Sequence, residues 1–257
     1  MDILFISTIA LIGSILSFFS GFGLGTILLP AFLLFFPLQV AVGLTATVHL
    51  LNNFFKIFLV GRYLNKTAFL LFSLPSIPGA FIGAYLLFTI SNFDPMFTYT
   101  MNAVEYKVEP IKAAIAILMI GFALFELFPK LSNWTVDKKY LPLGGILSGF
   151  FGGLSGHQGA LRSVFLVRAG LSKESFIGTG VVTACLIDLI RLSVYGTNIS
   201  SMNLDNNLGI LIGATTSAFI GAYLGSKLLK KITLRAVQMS VAALLLCIAV
   251  LLGAGII

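Results

Sequence analysis

One short stretch of the sequence, Gly152–Ser163, combines residue types that suit the binding of an anion. Four glycines, a histidine, a glutamine, an arginine and two serines interrupt sequence that is apolar on both sides. Glycines allow a helix to break and allow other groups to approach the main chain closely. A helix that restarts near Gly159 points its free N–H groups and the positive end of its dipole into the break, and Arg162 adds a full charge in the first turn. The stretch therefore predicts an anion site.

The composition places this site in a membrane. Of the 257 residues, 58% are hydrophobic and only 10% are charged, and the mean hydropathy is +1.04, whereas soluble proteins carry about 25% charged residues. The net charge of +7 comes from Lys and Arg in short gaps between apolar runs, which is typical of cytoplasmic membrane loops and not of a nucleic-acid surface. We therefore predict a multi-pass protein of the cell membrane, with the lipid bilayer as a partner and no nucleic acid.

Polar gaps divide the chain into apolar segments that predict helices. These segments are 3–20, 26–36, 38–61, 67–90, 110–128, 141–155, 159–170, 174–197, 207–226 and 233–257, and the longest polar gap is 91–109. At about 1.5 Å per residue, 26–36 and 159–170 reach only about 16–18 Å, which is short of the roughly 30 Å hydrocarbon core. We therefore predict eight full spans plus two short or broken helices, which either cross the bilayer or form a re-entrant pair.

The two halves of the chain repeat one another. The heptapeptide Ala80–Leu86 recurs unchanged as Ala218–Leu224. The matches at a similar offset are Ser20-Gly21 with Ser155-Gly156, Gly43 with Gly178, Asn53 with Asp188, and Lys56 with Arg191. Together they predict an internal duplication, with one transmembrane repeat at 1–129 and the other at 130–257.

The loop charges indicate that the repeats are inverted. The loop with Arg62 and Lys66 is positive, whereas the equivalent loop at 192–206 carries only Asp205. Because positive loops stay in the cytoplasm, the equivalent loops lie on opposite sides, which requires an odd number of crossings per repeat. We therefore predict an all-α integral membrane protein of two inverted repeats, each of about five helical segments. The alternative, eight spans as four plus four in parallel, leaves the loop charges unexplained.

Glycine-rich motifs in both halves resemble the signature of the TauE/SafE family of membrane transporters. The motifs are Gly21-x-Gly23-x-Gly25-x4-Pro30 with 41–45, and 153–159 with Gly178-Thr179. The resemblance covers nearly the whole chain and implies transport of small sulfur-containing anions, such as sulfite or organosulfonates. The sequence departs from the commoner pattern at Leu24, at His157-Gln158 and at Val164, so these positions and Arg162 are where a difference in substrate would arise.

The candidate substrate ligands come from both breaks and from the long spans. They are Gly21, Gly23, Gly25, Thr26, Asn53, Lys56, Ser155, Gly156, His157, Gln158, Gly159, Arg162 and Ser163. The candidates for coupling to an ion, either a proton or sodium, are His49, Asp188 and Arg191. Structural roles are the alternatives for these residues. His49 could be a packing histidine, and Asp188 and Arg191 could do no more than neutralise one another. Lys56 could extend to the membrane surface.

These residues predict a secondary transporter that binds a small inorganic or organic anion near the membrane midplane. An anion channel of the same architecture is the alternative. A membrane-embedded enzyme is the weakest reading, because the sequence shows no histidine oriented by a carboxylate and no metal-ligand spacing. We accordingly predict that the protein is not an enzyme and uses no cofactor or metal. A homo-oligomer is a further candidate state.

Overall fold

The structure, a computed structural model, describes residues 2–20, 23–128, 137–196, 207–228 and 234–257. Over these ranges the chain is mostly helical. In chain order the helices are α1 (Asp2–Ser20), α2 (Leu24–Leu33), α3 (Leu38–Val60), α4 (Lys66–Ala68), α5 (Ser76–Ser91), α6 (Pro110–Leu127), α7 (Leu141–Ser155), α8 (Gly159–Arg168), α9 (Lys173–Tyr195), α10 (Leu208–Leu228) and α11 (Leu234–Gly253).

The helix between 66 and 91 is irregular. A π-helical turn, Phe69–Ser73, joins α4 to α5. Pro75 and Pro78 follow this turn, and because proline has no N–H it cannot continue the regular pattern of helical hydrogen bonds. Taken as one helix, 66–91 agrees with the predicted segment 67–90, and the other predicted segments agree with the observed helices within a few residues.

Several of these helices suit a membrane. Among the described residues, four helices are long and apolar enough to cross a bilayer: Leu38–Tyr63, Lys66–Ser91, Lys173–Tyr195 and Leu208–Lys227. Shorter apolar helices cover Asp2–Ser17, Leu24–Leu33, Pro110–Leu124 and Ala242–Gly253. The prediction of a helical membrane protein with several spans is confirmed, whereas the number eight stays a prediction.

The polar gap at 91–109 holds a β-hairpin that the sequence analysis did not predict. Strand β1 (Phe97–Met101) pairs antiparallel with β2 (Val104–Val108), and Tyr99 lies opposite Tyr106. The turn residues Asn102 and Ala103 both have positive φ, as a two-residue hairpin turn of type I′ requires. The Tyr99 hydroxyl donates to the Ala254 carbonyl at 2.8 Å, so the hairpin lies beside the C-terminal end of α11.

The helices pack in pairs that join the two halves of the chain. The most extensive contacts are between α5 and α7, between α1 and α10, between α6 and α11, and between α3 and α9. Glycines allow the backbones to touch in two of these pairs. A β-carbon on Gly83 would lie 2.0 Å from the Phe150 carbonyl oxygen, and one on Gly221 would lie 2.4 Å from that of Leu11. Small residues allow this close helix packing in membrane proteins.

Helices α3 and α9 run antiparallel. The second turn of α9 lies beside the end of α3, where a β-carbon on Gly178 would be 2.7 Å from the Val60 carbonyl oxygen. The backbone N–H of Asn65 donates to the Thr179 hydroxyl at 3.0 Å. At the opposite end of α3, a cavity of about 380 Å³ is lined by 36–40 together with Ser91, Glu109, Ile111, Lys112 and Asn207. The molecule therefore has an Asn65 end and a hairpin end, with α3 and α9 between them.

Candidate functional site

The two predicted helix breaks meet at the centre of the molecule. Helix α2 begins after Gly23, and α8 begins at Gly159. A β-carbon on Gly25 would lie 3.6 Å from the Gly156 carbonyl oxygen, so the backbones of the two breaks are in contact. Gly21, the first glycine of the predicted site, lies outside the described residues.

Gly156 ends α7 in a conformation that requires glycine. Its φ is +80°, in the left-handed region, and its N–H donates to the Gly152 carbonyl, which is the usual way in which a glycine terminates a helix. A β-carbon here would also lie 2.7 Å from Nη1 of Arg191. The break therefore lets the α9 guanidinium approach the main chain.

A small cavity of about 30 Å³ lies beside the breaks. Its walls come from α1, the first break, α3, α8 and the first turns of α9. The lining residues are Ser17, Gly23, Leu24, Asn53, Lys56, Arg162, Phe176, Ile177, Gly180 and Val181. Since about 10–15 Å³ of such space holds one water molecule, the cavity suits a compact ligand of a few atoms.

Two buried cations line this cavity. Lys56 and Arg162 are only 4% and 6% exposed. The Lys56 ammonium donates to the Ser17 hydroxyl at 3.0 Å, and Nη1 of Arg162 donates to the Gly180 carbonyl at 2.9 Å. Lys56 thus lies inside the protein, which excludes the alternative that its side chain extends to the membrane surface.

A cluster of charged groups adjoins the cavity. Nδ1 of His49 lies 2.6 Å from Oδ2 of Asp188, and Arg191 contacts Oδ1 of the same carboxylate through Nη2 at 2.8 Å and Nε at 3.0 Å. The amide nitrogen of Asn53 lies 3.5 Å from Oδ2 of Asp188 and 3.2 Å from Nδ1 of His49. Because Asn53 also lines the cavity, it connects the cluster with the cavity wall.

Positive charge exceeds negative charge in this centre. The buried charged residues among those described are Lys56, Arg162 and Arg191 against the single carboxylate of Asp188. Arg191 and Asp188 form an ion pair, and Lys56 and Arg162 are two further buried cations, both on the cavity wall. Burying a charge in a low-dielectric interior is costly unless an opposite charge is close. The centre can therefore attract an anion.

The polar side chains of the second break are placed apart from the cavity lining. The Ser155 hydroxyl donates to Phe151 O at 3.1 Å and lies 3.0 Å from Nδ1 of His157, whose ring stacks on Phe122 at a centroid distance of 5.7 Å. Both amide atoms of Gln158, and Nε2 of His157, are buried with no hydrogen-bond partner among the described residues. The Ser163 hydroxyl donates to the Gly159 carbonyl at 2.9 Å within α8.

Of the predicted substrate ligands, the structure brings Gly23, Asn53, Lys56 and Arg162 to the cavity wall. Thr26 is buried in α2 beside the first break, and Gly25, Gly156 and Gly159 shape the breaks. Ser17 was missed. A signal existed, because Ser14 and Ser17 are three residues apart on α1 and so lie on one helix face.

Apolar helices around buried charged residues are typical of membrane proteins that move ions or other charged solutes. The sequence model of the family named sulfite exporter TauE/SafE matches residues 5–252, nearly the whole chain. The chain therefore belongs to the TauE/SafE family, which confirms the resemblance seen in its glycine motifs. Members of this family are membrane transporters of sulfite and related sulfur anions. Neither the curated proteins nor the solved structures gave a match.

Proposed function

We propose that the protein is a secondary transporter of the cell membrane that carries small sulfur oxyanions or organosulfonates. The anion binds in the small cavity between Lys56 and Arg162. The observation that carries this proposal is the presence of two buried cations on one cavity, with the nearby carboxylate of Asp188 already paired to Arg191. A bound anion would place a negative charge close to both cations.

The donors around the cavity suit an oxyanion. Arg162 offers a planar fork of N–H groups that matches two oxygens of one sulfite or sulfonate, and Lys56 offers a point charge. The Ser17 hydroxyl and the Asn53 amide add neutral donors, and Gly23 and Gly180 let the anion approach the backbone. Phe176 and Ile177 give the cavity an apolar side that can contact the alkyl part of a small sulfonate.

The proposed transport cycle depends on two inverted repeats, 1–129 and 130–257. In such an arrangement α1 is equivalent to α7, α3 to α9 and α5 to α10. The packing of α5 on α7 should then recur as α10 on α1, and the packing of α5 on α9 should recur as α10 on α3. All four contacts are present. The antiparallel course of α3 and α9 supports inversion, because equivalent helices of parallel repeats point the same way. Rocking of one repeat against the other would then expose the cavity to each side in turn.

The position of the cavity supports an inward-facing state. Its lining includes Phe176 and Ile177 in the first turns of α9 and Lys56 in the last turns of α3. Both regions lie toward the Asn65 end, whose loop carries Arg62 and Lys66. Positive loops mark the cytoplasmic side, so we place the cavity mouth toward the cytoplasm.

Cysteine labelling tests the inverted arrangement. A cysteine at Asn65 should react with an impermeant thiol reagent only from the cytoplasmic side. A cysteine at Asn203, which lies outside the described residues, should react only from the outside. Labelling of both positions from one side would contradict inversion and would favour the four-plus-four arrangement.

Binding of sulfite and of small sulfonates to the purified protein tests the function directly. Replacing Arg162 with Gln should weaken binding at least about tenfold, because each charge-assisted hydrogen bond contributes roughly 1.5–3 kcal/mol, while Arg162→Lys should retain part of the affinity. Normal binding by Arg162→Gln, with loss of binding in Arg191→Gln, would move the site to the ion-pair cluster. Saturable uptake against an anion gradient in vesicles would distinguish a transporter from a channel.

A further inference from the structure

The contact between His49 and Asp188 is buried where the two halves of the chain meet. His49 belongs to α3 and Asp188 to α9, their side chains are 1% and 0% exposed, and Nδ1 and Oδ2 are 2.6 Å apart. The other carboxylate oxygen of Asp188 is held by Arg191. An ionised Asp188 therefore accepts the Nδ1–H of His49, which leaves Nε2 as the nitrogen with a lone pair.

Nε2 of His49 reaches the wall of the cavity. A β-carbon on Gly23 would lie only 2.9 Å from this nitrogen, and Gly23 itself lines the cavity. The amide nitrogen of Asn53, another lining residue, lies 3.3 Å from Nε2. One nitrogen of the imidazole thus faces the carboxylate, while the other faces the space that we assign to the anion.

From this geometry we propose that His49 and Asp188 form a proton site that couples anion transport to proton movement. The inference rests on the proposed function, since it concerns the same cavity. A hydronium ion in the cavity transfers a proton to Nε2, so one O–H bond breaks, the N–H bond of an imidazolium forms and a water molecule is left, while the Nδ1–H stays directed at Asp188. Release of the proton to water reverses this step.

The charges around His49 determine the sign of the coupling. The charged neighbours of His49 are Asp188 and Arg191 on α9 and Lys56 on α3. Arg162 on α8 and Cys185 on α9 lie next, around the same Asp188 and Lys56. Helix α2 has no titratable residue, and those of α1 and α10 lie near the helix ends. Asp188 favours the imidazolium and the cations oppose it. An anion between Lys56 and Arg162 offsets those cations, so the anion and the proton each strengthen the binding of the other. The two move in the same direction.

His157 provides a matched control, because it is the other histidine of the chain. It is equally buried, at 1% exposed, but it bonds to the Ser155 hydroxyl and stacks on Phe122. No salt bridge joins it to a described carboxylate. Replacing His157 removes a buried imidazole without removing the proposed proton site.

The first test measures sulfite binding by the parent, His49→Gln and His157→Gln between about pH 5 and pH 8, the range in which histidine titrates. The ratio of the parent affinity to that of His49→Gln cancels the titration of sulfite itself. This ratio should rise as the pH falls, by up to about tenfold per pH unit, the limit for one linked proton. His157→Gln should follow the parent. A ratio that stays constant with pH overturns the coupling but leaves the transport proposal intact.

A second test measures the protonation of His49 directly, first without a ligand and then with added sulfite. His157→Gln leaves His49 as the single histidine, so nitrogen NMR of ¹⁵N-histidine-labelled protein reports its protonation directly. Lowering the pH should protonate His49, and added sulfite should raise its protonated fraction at a given pH. A His49 that does not titrate in the folded His157→Gln protein overturns the inference. Absence of sulfite binding by the parent at every pH counts instead against the proposed function.

Discussion

Helices α3 and α9 occupy equivalent places in the two halves of the chain, yet their central residues differ in charge. At an offset of 135 residues, Asn53 corresponds to Asp188 and Lys56 to Arg191. In α9 the carboxylate and the guanidinium are three residues apart and form an ion pair at 2.8 Å. In α3 the same positions hold the amide of Asn53 and the ammonium of Lys56. Helix α3 itself therefore supplies no negative charge beside Lys56.

This difference shows how a repeated fold can build an asymmetric site. The charge of Arg191 is used within α9 to hold Asp188, which in turn contacts His49. The charge of Lys56 is directed into the cavity, beside Ser17 and Arg162. In the proposed mechanism, α3 therefore contributes a cation to the anion site, whereas α9 contributes the carboxylate of the proton site. A symmetric pair of centres would not separate these two tasks.

The largest effect should come from breaking the ion pair on α9. Replacing Asp188 with Asn leaves Arg191 buried without its carboxylate and should lower the free energy of unfolding by roughly 3–5 kcal/mol. The corresponding change on α3, Asn53→Ala, removes an uncharged amide whose contact with the Asp188 carboxylate is long, at 3.5 Å, and should cost about 0.5–1.5 kcal/mol. Unfolding of the purified variants in detergent, followed by the loss of helical circular dichroism, measures both values.

The double variant Asp188→Asn/Arg191→Gln provides the control for this prediction. Since it removes both charges, it should be more stable than Asp188→Asn alone. Equal losses of stability in Asp188→Asn and Asn53→Ala would show that the two centres are electrostatically alike, contrary to the comparison.

A smaller effect should follow from removing the α3 charge. Lys56→Gln should weaken sulfite binding at least about tenfold, because one charge-assisted hydrogen bond contributes roughly 1.5–3 kcal/mol. Lys66→Gln removes the same charge from an exposed position near the same end of the molecule and should leave the affinity nearly unchanged. Equal weakening in the two variants would mean that only the overall positive field attracts the anion. Titration calorimetry with sulfite separates these outcomes.

Much of the helical framework could be predicted from the sequence, because apolar runs and polar gaps report directly on burial in lipid. The predicted segment 141–155 has the bounds of α7, and 159–170 begins where α8 begins. The glycine breaks could also be predicted, since backbone irregularity within an apolar chain needs glycine and polar partners. The pairing of Asp188 with Arg191 was open in the sequence and is settled by their contact.

The assembly of the site could not be predicted, because it depends on how distant helices pack. Local spacing does not reveal that His49 meets Asp188, which is 139 residues away. Nor does it show that Lys56 turns toward Ser17, or that the side chains of Ser155 and Ser163 bond within their own helices. The hairpin could not be predicted for another reason. Its strands are only five residues each, and they lie in a polar gap between apolar segments.

The smallest effect concerns the heptapeptide that the two halves share. Gly83 and Gly221 occupy the same position in its two copies, and each touches the backbone of a facing helix: Gly83 touches Phe150 on α7, and Gly221 touches Leu11 on α1. Alanine at either glycine should therefore force the helices apart and lower the free energy of unfolding by about 1–3 kcal/mol. The matched control is Gly121→Ala on α6, because a β-carbon there meets no atom within 4 Å and alanine is the better helix former. If the two halves pack alike, Gly83→Ala and Gly221→Ala should shift the detergent unfolding midpoint by similar amounts, while Gly121→Ala should leave it unchanged or raise it. A loss confined to Gly83→Ala would show that the resemblance between the halves does not extend to the packing of α1 on α10.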